Sequence, residues 1–134
     1  MAKSSEVLKP SHVAFMSRPL LGKFASVSKD GSPHVTPVWF MYEDGKLIVT
    51  TPATTVKARN VAREPRVALL IDDGETYLMV RGRAIITKRD SKRDLERLAA
   101  RYEGPDASKS LPELLKEAQV TIEITPERVV SQNL

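Results

Sequence analysis

The sequence predicts a mainly β domain, a small antiparallel barrel of six strands with helices flanking one side. Three observations support this fold. The chain has 134 residues, which suits one domain with one modest core. Short segments rich in apolar residues recur along it at strand length. Asp-Gly pairs at 30–31, 44–45 and 73–74 separate them, and such pairs favour tight turns because glycine tolerates positive φ. We therefore expect one domain over residues 1–134.

The predicted elements alternate short strands with a few helices. Strands are expected at residues 24–28, 34–42, 47–51, 67–71, 76–88 and 120–125. Helices are expected at residues 10–16, 54–63, 91–103 and 111–118. Pro37 cannot donate to a β-ladder, so its strand should lie at an edge or be bulged there. Asp72 and Asp73, beside Gly74, are interpreted as turn residues rather than as a catalytic carboxylate pair.

Composition excludes several classes of protein. Apolar residues make up 41% of the chain and charged residues 28%, which is typical of a folded globular protein. No run of about 18 apolar residues is present, so we expect no membrane span, and residues 1–10 lack the apolar core of a signal peptide. A soluble cytoplasmic protein is expected. The net charge of +4 favours anionic partners without choosing among nucleic acid, acidic lipid and a phosphorylated small molecule.

The sequence offers no catalytic residues of its own. No nucleophile motif, Walker loop or dinucleotide-binding glycine pattern is present. The two histidines, His12 and His34, lack ligand spacing, and there is no cysteine, so we expect no metal site. The catalytic residues therefore stay unknown, and an enzyme with this sequence would rely on a cofactor for the difficult chemistry.

Residues 50–66 contain the clearest candidate for a binding site. Four threonine hydroxyls (Thr50, Thr51, Thr54 and Thr55) and the polar side chains of Lys57, Arg59 and Asn60 fall at a strand end and in the first turns of a helix. A phosphate favours hydroxyl and amide donors, a helix N-terminus and a cation. A polar loop followed by a solvated helix face explains the same residues equally well.

Two further segments are candidates. An irregular edge strand ending in Trp39 would offer free backbone amides and an apolar wall to a flat ring, although Trp39 also fits a core position. Arg81 and Arg83 lie on one face of the long strand. They would face solvent, pair with acids such as Glu75, or meet an anion.

The order of these segments resembles the pyridoxamine 5′-phosphate oxidase-like family. The resemblance covers residues 20–87 and rests on Phe24-Ala25-Ser26-Val27, Asp30-Gly31-Ser32-Pro33-His34-Val35-Thr36-Pro37-Val38-Trp39, Lys57-Ala58-Arg59-Asn60-Val61 and Glu64-Pro65-Arg66-Val67-Ala68. The match is nearest to the small bacterial and archaeal branch that depends on FMN or F420. The resemblance implies a six-stranded split β-barrel of the FMN-binding type, and a homodimer with two flavin sites at its interface.

The resemblance also assigns roles by position. Val35, Thr36, Pro37, Val38 and Trp39 would line the flavin or deazaflavin ring. Thr50, Thr51, Lys57 and Asn60 would hold the phosphate, and Arg59 would reach it or brace the loop. Tyr77 and Arg81 would close the site from the partner subunit. The chain lacks the aromatic residue that many relatives carry at the end of the last strand, and it lacks the arginine and histidine that bind substrate phosphate in true pyridoxamine phosphate oxidases, so that particular activity is not expected.

The leading functional hypothesis is an oxidoreductase that transfers hydride between FMN, or alternatively F420, and an unknown small-molecule substrate. A non-catalytic FMN-binding or electron-carrier protein is the alternative. A nucleic-acid-binding small barrel is less favoured, because one tryptophan and three tyrosines form no stacking series. A haem-binding split barrel is a minor possibility, with His12 and His34 as its histidine ligands. We expect no nucleic-acid partner and no membrane partner.

Overall fold

The computed structural model describes residues 7–134. The first six residues of the predicted domain lie outside the described residues, as does most of the segment on which the expectation of no signal peptide rests. Within the described range, no helix combines the length and the apolar character needed to cross a membrane.

Seven strands and four helices make up the described chain. The helices are α1 (Pro10–Met16), α2 (Val56–Arg63), α3 (Ser91–Glu103) and α4 (Ala107–Leu114), with a 3₁₀ turn at Gly104–Asp106 between the last two. The strands are β1 (Gly22–Val27), β2 (Pro33–Val38), β3 (Met41–Glu43), β4 (Lys46–Pro52), β5 (Arg66–Asp72), β6 (Tyr77–Thr87) and β7 (Gln119–Gln132). The last predicted helix is therefore displaced towards the N-terminus, and the last strand is longer than predicted.

The strands form one antiparallel sheet in the order β2-β1-β5-β6-β7-β4-β3. The predicted mainly β fold with flanking helices is confirmed, but the prediction of six strands in a barrel is wrong in its strand count, and the sheet is not closed. The predicted strand at residues 34–42 breaks at Trp39 and Phe40 into β2 and β3. The Phe40 N–H donates a hydrogen bond to the Tyr102 hydroxyl instead of to a neighbouring strand, so the backbone leaves the ladder at this point.

The short connection between β2 and β3 requires the sheet to curl. Strands β2 and β3 occupy opposite edges of the sheet, yet only residues 39–40 join them. Seven strands laid flat would separate the two edges by about 29 Å, whereas the three Cα–Cα steps from Val38 to Met41 span at most about 11 Å. The two edges must therefore approach each other without pairing, which leaves an opening at residues 38–41. The edge position predicted for Pro37 is confirmed.

The core lies inside the curled sheet, with a second apolar cluster outside it. The inner cluster contains the fully buried side chains of Phe24, Leu69, Leu78, Val80, Ile122 and Ile124, among others. The outer cluster contains Met41, Ile48 and Leu98, with Trp39 and Tyr102 packed against it. Because burial of each large apolar side chain contributes about 1.5–3 kcal/mol, the outer cluster fixes α3 against β3 and β4.

The glycine between Arg81 and Arg83 is required by the close packing of β6 and β7. A Cβ atom on Gly82 would lie 2.1 Å from the Thr125 carbonyl oxygen, so only glycine allows β7 to approach β6 this closely. The register between the two strands shifts at this point. At the other end of β6, the turn role predicted for Asp72 and Asp73 is confirmed, since their carboxylates accept hydrogen bonds from backbone N–H groups of residues 74–76.

Candidate cofactor-binding site

A cleft of about 660 Å³ opens where the edges of the sheet approach each other. Its volume lies in the range of small-molecule binding sites. The ends of β2 and β4, the start of α2, and helices α3 and α4 surround it. Six residues expected from the sequence line it together: Pro37, Val38, Trp39, Thr50, Thr51 and Lys57.

The polar end of the cleft is built by the junction of β4 and α2. Strand β4 ends at Pro52, and Thr55 begins the helix as its N-cap, with its hydroxyl accepting a hydrogen bond from Ala58 N at 3.3 Å. The Thr55 hydroxyl also lies 3.0 Å from the hydroxyl of Thr51, which is buried. The junction thus presents hydroxyl groups at the N-terminus of a helix, where the helix dipole favours a negative charge.

Lys57 adds an uncompensated cation to this end. Its Nζ lies 3.5 Å from Thr51 Oγ1, and within residues 7–134 it forms no ion pair. Partial burial lowers the pKa of Lys57 below its usual value, because desolvation disfavours the charged ammonium group. Glu113 and Glu117 also line the cleft, but neither forms an ion pair with Lys57. A half-buried ammonium group that has no ion pair among the described residues is electrostatically suited to an anionic ligand such as a phosphate.

A second part of the cleft lining, which we call its apolar end, consists of apolar side chains. Pro37, Val38 and Trp39 form one wall, where β2 ends. The indole ring of Trp39 stacks on Tyr102, with ring centroids 5.5 Å apart and the planes inclined by 7°. Leu21, Leu95 and Leu114 complete the apolar lining. A flat apolar ring would fit this end because aromatic and aliphatic side chains both exclude water from it.

The structure places other predicted site residues away from the cleft. Val35 and Thr36 lie further along β2, with Val35 on the exposed outer face. Arg59 is exposed on α2. Asn60 is buried, and its Nδ2 donates a hydrogen bond of 3.0 Å to Ser26 Oγ, so it ties α2 to β1. Their roles in ligand binding stay predictions.

Tyr77 and Arg81 also lie outside the cleft of their own chain. Both project from β6 on the outer face of the sheet, where Tyr77 borders a separate groove with Leu70, Met79 and Val130. Arg81 is exposed and lies opposite Arg128 on β7. Within one chain, neither side chain reaches the cleft, and their role in a partner's site stays a prediction.

Several lining residues are not foreseen by the sequence analysis. Leu21 and Leu95 line the apolar end, while the polar rim consists of Glu113, Lys116, Glu117 and Gln119. Helical spacing indicates only that Leu95 is buried. The rim residues lie at the end of α4 and in the segment from there to the start of β7. The packing of α4 against α3 brings them to the cleft, so no local sequence signal identifies them.

Helix α3 is anchored beside the cleft by a buried carboxylate. Asp94 accepts two hydrogen bonds of 2.8 Å from Arg89 and one of 2.7 Å from Thr121 Oγ1. Thr121 lies directly opposite Thr50, which lines the cleft. Arg89 also bridges to Glu43 and, with Arg97, lowers the pKa of that carboxyl group. This network holds α3, and Leu95 with it, against β3 and β7.

The comparisons with known proteins agree with this architecture. Residues 8–133 match the family model described as pyridoxamine 5′-phosphate oxidase, and the chain belongs to this family. The family expected from the sequence is confirmed. The prediction of an oxidoreductase related to pyridoxamine 5′-phosphate oxidase is confirmed as well. Among residues 7–134, no group of three or more His, Asp or Glu side chains is arranged to hold a metal ion.

Particular relatives refine the comparison. The chain is 31% identical to the F420H(2)-dependent biliverdin reductase of Mycobacterium tuberculosis over 134 residues, covering 97% of this chain and 92% of the relative. A solved structure described as F420 Reductase superposes with a TM-score of 0.79 at 29% identity, covering 92% of this chain and 98% of the other. The conserved hypothetical protein Rv2991 from Mycobacterium tuberculosis superposes with a TM-score of 0.76 at 25% identity, covering 98% and 89%.

Proposed function

We propose that this protein is an oxidoreductase that binds FMN or F420 in the cleft and reduces a small-molecule substrate. The observation that carries the proposal is the pairing, within one cleft, of the uncompensated Lys57 ammonium group with the apolar wall at Trp39. FMN and F420 each carry a phosphate and a three-ring system, which matches a polar end and an apolar end. The cofactor would supply hydride transfer, so the chain needs no acid–base residue of its own.

Residues of the polar end would hold the phosphate. Lys57 would provide the positive charge, and the Thr50 hydroxyl would donate a hydrogen bond. Thr51 would support this end from beneath, because its hydroxyl contacts both Thr55 Oγ1 and Lys57 Nζ. The N-terminus of α2 adds the favourable end of a helix dipole. Binding an anion would also relieve the electrostatic cost of the half-buried Lys57, which is a gain that a fully solvated lysine would not provide.

Residues of the apolar end would orient the ring. Pro37, Val38 and Trp39 would face the ring system from the β2 edge, and Leu95 and Leu114 from the helices. Exclusion of water strengthens the remaining polar contacts and protects the transferred hydride from solvent. The rim residues Glu113 and Gln119 stand at the mouth of the cleft, where they would contact the substrate.

The names of the relatives guide the choice of cofactor and substrate. Two reductases named for F420 favour F420 as the first cofactor to test, with FMN beside it. Biliverdin is the first substrate to test, because the relative at 31% identity is named for it.

We also propose that two copies form a homodimer through the outer face of the sheet. Residues paired across five strands place Pro37, Leu70, Met79 and Val130 in one row with Lys23, which we call the outer row. Pro37 also lines the cleft, so a second copy on this face would lie beside the cofactor. The apolar centre flanked by arginines has the composition of a protein–protein interface.

Two arginines on this face support the same arrangement. Arg81 and Arg128 are directly opposite each other, and neither forms an ion pair in the part of the chain that the structure describes. Like charges in direct register destabilise a sheet, so an anion from outside the chain would relieve them. A phosphate in the partner's cleft would be such an anion, consistent with the role predicted for Arg81 from the sequence.

Binding and turnover of the purified protein test the proposed function. FMN and F420 are titrated separately, and reduction of biliverdin and a panel of small oxidants is then followed in the visible spectrum. Saturable binding of one cofactor with turnover supports an oxidoreductase. Binding without turnover on any substrate would favour the non-catalytic carrier, and binding of neither cofactor would overturn the proposal.

The dimer is tested by light scattering. The wild-type protein is expected at twice the chain mass of 14.9 kDa. Leu70→Glu should yield monomers with weakened cofactor binding, because it buries a charge in the outer row. Ile85→Glu is the matched control, since Ile85 is an exposed apolar residue at the far end of β6. A dimer that survives Leu70→Glu unchanged would contradict the proposed interface.

A further inference from the structure

We infer that Tyr102 is a positioning residue for the cleft, because it fixes the backbone beside two of the apolar lining residues. These are Trp39 and Leu21, which lie side by side where β2 ends and β1 begins. Tyr102 itself does not line the cleft. Its contacts hold this apolar wall in one position, and a planar ring would pack against that wall.

The Tyr102 hydroxyl joins two separate backbone segments. It donates a hydrogen bond of 2.8 Å to the Leu20 carbonyl oxygen and accepts one of 3.1 Å from the Phe40 N–H. The Phe40 carbonyl oxygen is also 3.1 Å away, but a hydroxyl has one proton to donate, and the shorter contact is to Leu20. Leu20 precedes the wall residue Leu21, and Phe40 follows the wall residue Trp39.

The two segments need this support because neither is held by the sheet. Trp39 and Phe40 lie between β2 and β3, and Leu20 and Leu21 lie between α1 and β1. Ladder hydrogen bonds therefore do not fix these four residues. The Tyr102 hydroxyl supplies backbone partners that a ladder would otherwise provide, and the Tyr102 ring adds the parallel stack on Trp39.

Arg101, the neighbouring residue, reinforces the same contact. Its Nη2 donates hydrogen bonds to the carbonyl oxygens of Met16 at 2.6 Å and Arg18 at 2.9 Å, which secures the chain between α1 and β1. Its guanidinium group also lies 5.4 Å from the ring centroids of Phe40 and Tyr102. The last turn of α3 therefore clamps both segments, while Asp94 anchors the first turn.

Trp39 is the only tryptophan of the chain, so its fluorescence reports the position of this wall directly. In the ligand-free protein, Tyr102→Phe is expected to shift Trp39 emission to longer wavelength and to increase its quenching by acrylamide, because the Phe40 backbone is released. The Phe40 amide should exchange with deuterium slowly in the wild-type chain and rapidly in the variant. The matched control is Tyr42→Phe, since the Tyr42 hydroxyl makes no hydrogen bond within residues 7–134 and Tyr42 does not line the cleft.

The binding measurement rests on the proposed function, whereas the two measurements on ligand-free protein do not. Tyr102→Phe should raise the dissociation constant of FMN or F420 about five- to tenfold, in line with the loss of one net hydrogen bond. If the wild-type protein binds neither cofactor, the proposed function fails, and Trp39 emission still decides the role of Tyr102.

Unchanged emission and quenching in folded Tyr102→Phe would overturn the inference. If that variant does not fold, slow exchange of the Phe40 amide in the wild-type chain supports it, and rapid exchange overturns it.

Discussion

The hydroxyl oxygens of Thr51 and Thr55 lie 3.0 Å apart, and this contact joins the end of β4 to the start of α2. Thr51 is buried, and Thr55 caps the helix. The N–H and the hydroxyl of Thr55 also donate hydrogen bonds to the Pro52 carbonyl oxygen, so these contacts together set the direction in which the helix N-terminus faces the cleft. The phosphate end of the candidate site depends on this junction.

Thr55→Ala is expected to destabilise the protein by about 1 kcal/mol, because α2 loses its N-cap. Cofactor binding should weaken as well, since the helix N-terminus is no longer held beside Thr51. Chemical denaturation and a binding titration measure the two effects. Thr54→Ala is the matched control, because Thr54 is exposed and does not cap the helix. Equal stability of the two variants would contradict the role given to Thr55.

The sequence predicts this junction well because its determinants are local. A threonine before a helical segment and a proline at the strand end are read from neighbouring residues, and Lys57 lies in the first turn of that helix. The break at Trp39 and Phe40 depends instead on Tyr102, about sixty residues further along the chain. A continuous strand at 34–42 is the natural interpretation of that segment alone.

The remaining walls of the cleft could not be predicted for a similar reason. Leu114 and Gln119 approach the cleft only because α4 folds back after α3, and the length and position of α4 depend on a 3₁₀ turn without a clear sequence signal. Asn60, by contrast, is a residue that the sequence places in the site and the structure does not. Its spacing from Lys57 suits a shared phosphate-binding face, but its amide is already bonded to Ser26 inside the fold.

Removing the buried carboxylate of Asp94 should be strongly destabilising. Asp94→Ala is expected to cost about 3 kcal/mol, because it leaves Arg89 and Thr121 without their shared partner. The surface pair of Asp106 and Lys109 provides the matched control, and Asp106→Ala should cost less than about 1 kcal/mol. Urea denaturation compares the two variants. A loss of similar size in both would refute the anchoring role of Asp94.

His12 should make the stability depend on pH. Burial, with a smaller contribution from the charge of Lys9, lowers the pKa of His12 below 6.5 in the folded protein. Its Nδ1 accepts a hydrogen bond from Lys9 N, which protonation at that nitrogen would break. The unfolded chain therefore binds the proton more readily, and the free energy of unfolding should fall as the pH drops below about 6.5.

The comparison with His12→Asn isolates this effect. Asparagine retains an acceptor for the Lys9 N–H but cannot take up a proton in this range. The free energy of unfolding is measured between pH 7.5 and about 5, and the slope below about pH 6.5 should be smaller in the variant than in the wild type. Identical slopes would show that His12 does not contribute.

In the proposed site, Lys57 has no ion pair among residues 7–134, and its ammonium group would bind the phosphate of a cofactor. The most direct test compares Lys57→Met with Lys29→Met, a control at an exposed lysine in the turn between β1 and β2. Affinity for FMN and F420 is measured by calorimetry, and thermal stability by circular dichroism. Lys57→Met should weaken binding of the cofactor that the wild type accepts by about 1.5–3 kcal/mol, the range for hydrogen bonds to charged groups. It should leave the melting temperature unchanged or raised, because a half-buried charge is removed. Undiminished affinity in folded Lys57→Met, matching Lys29→Met, would contradict the claim.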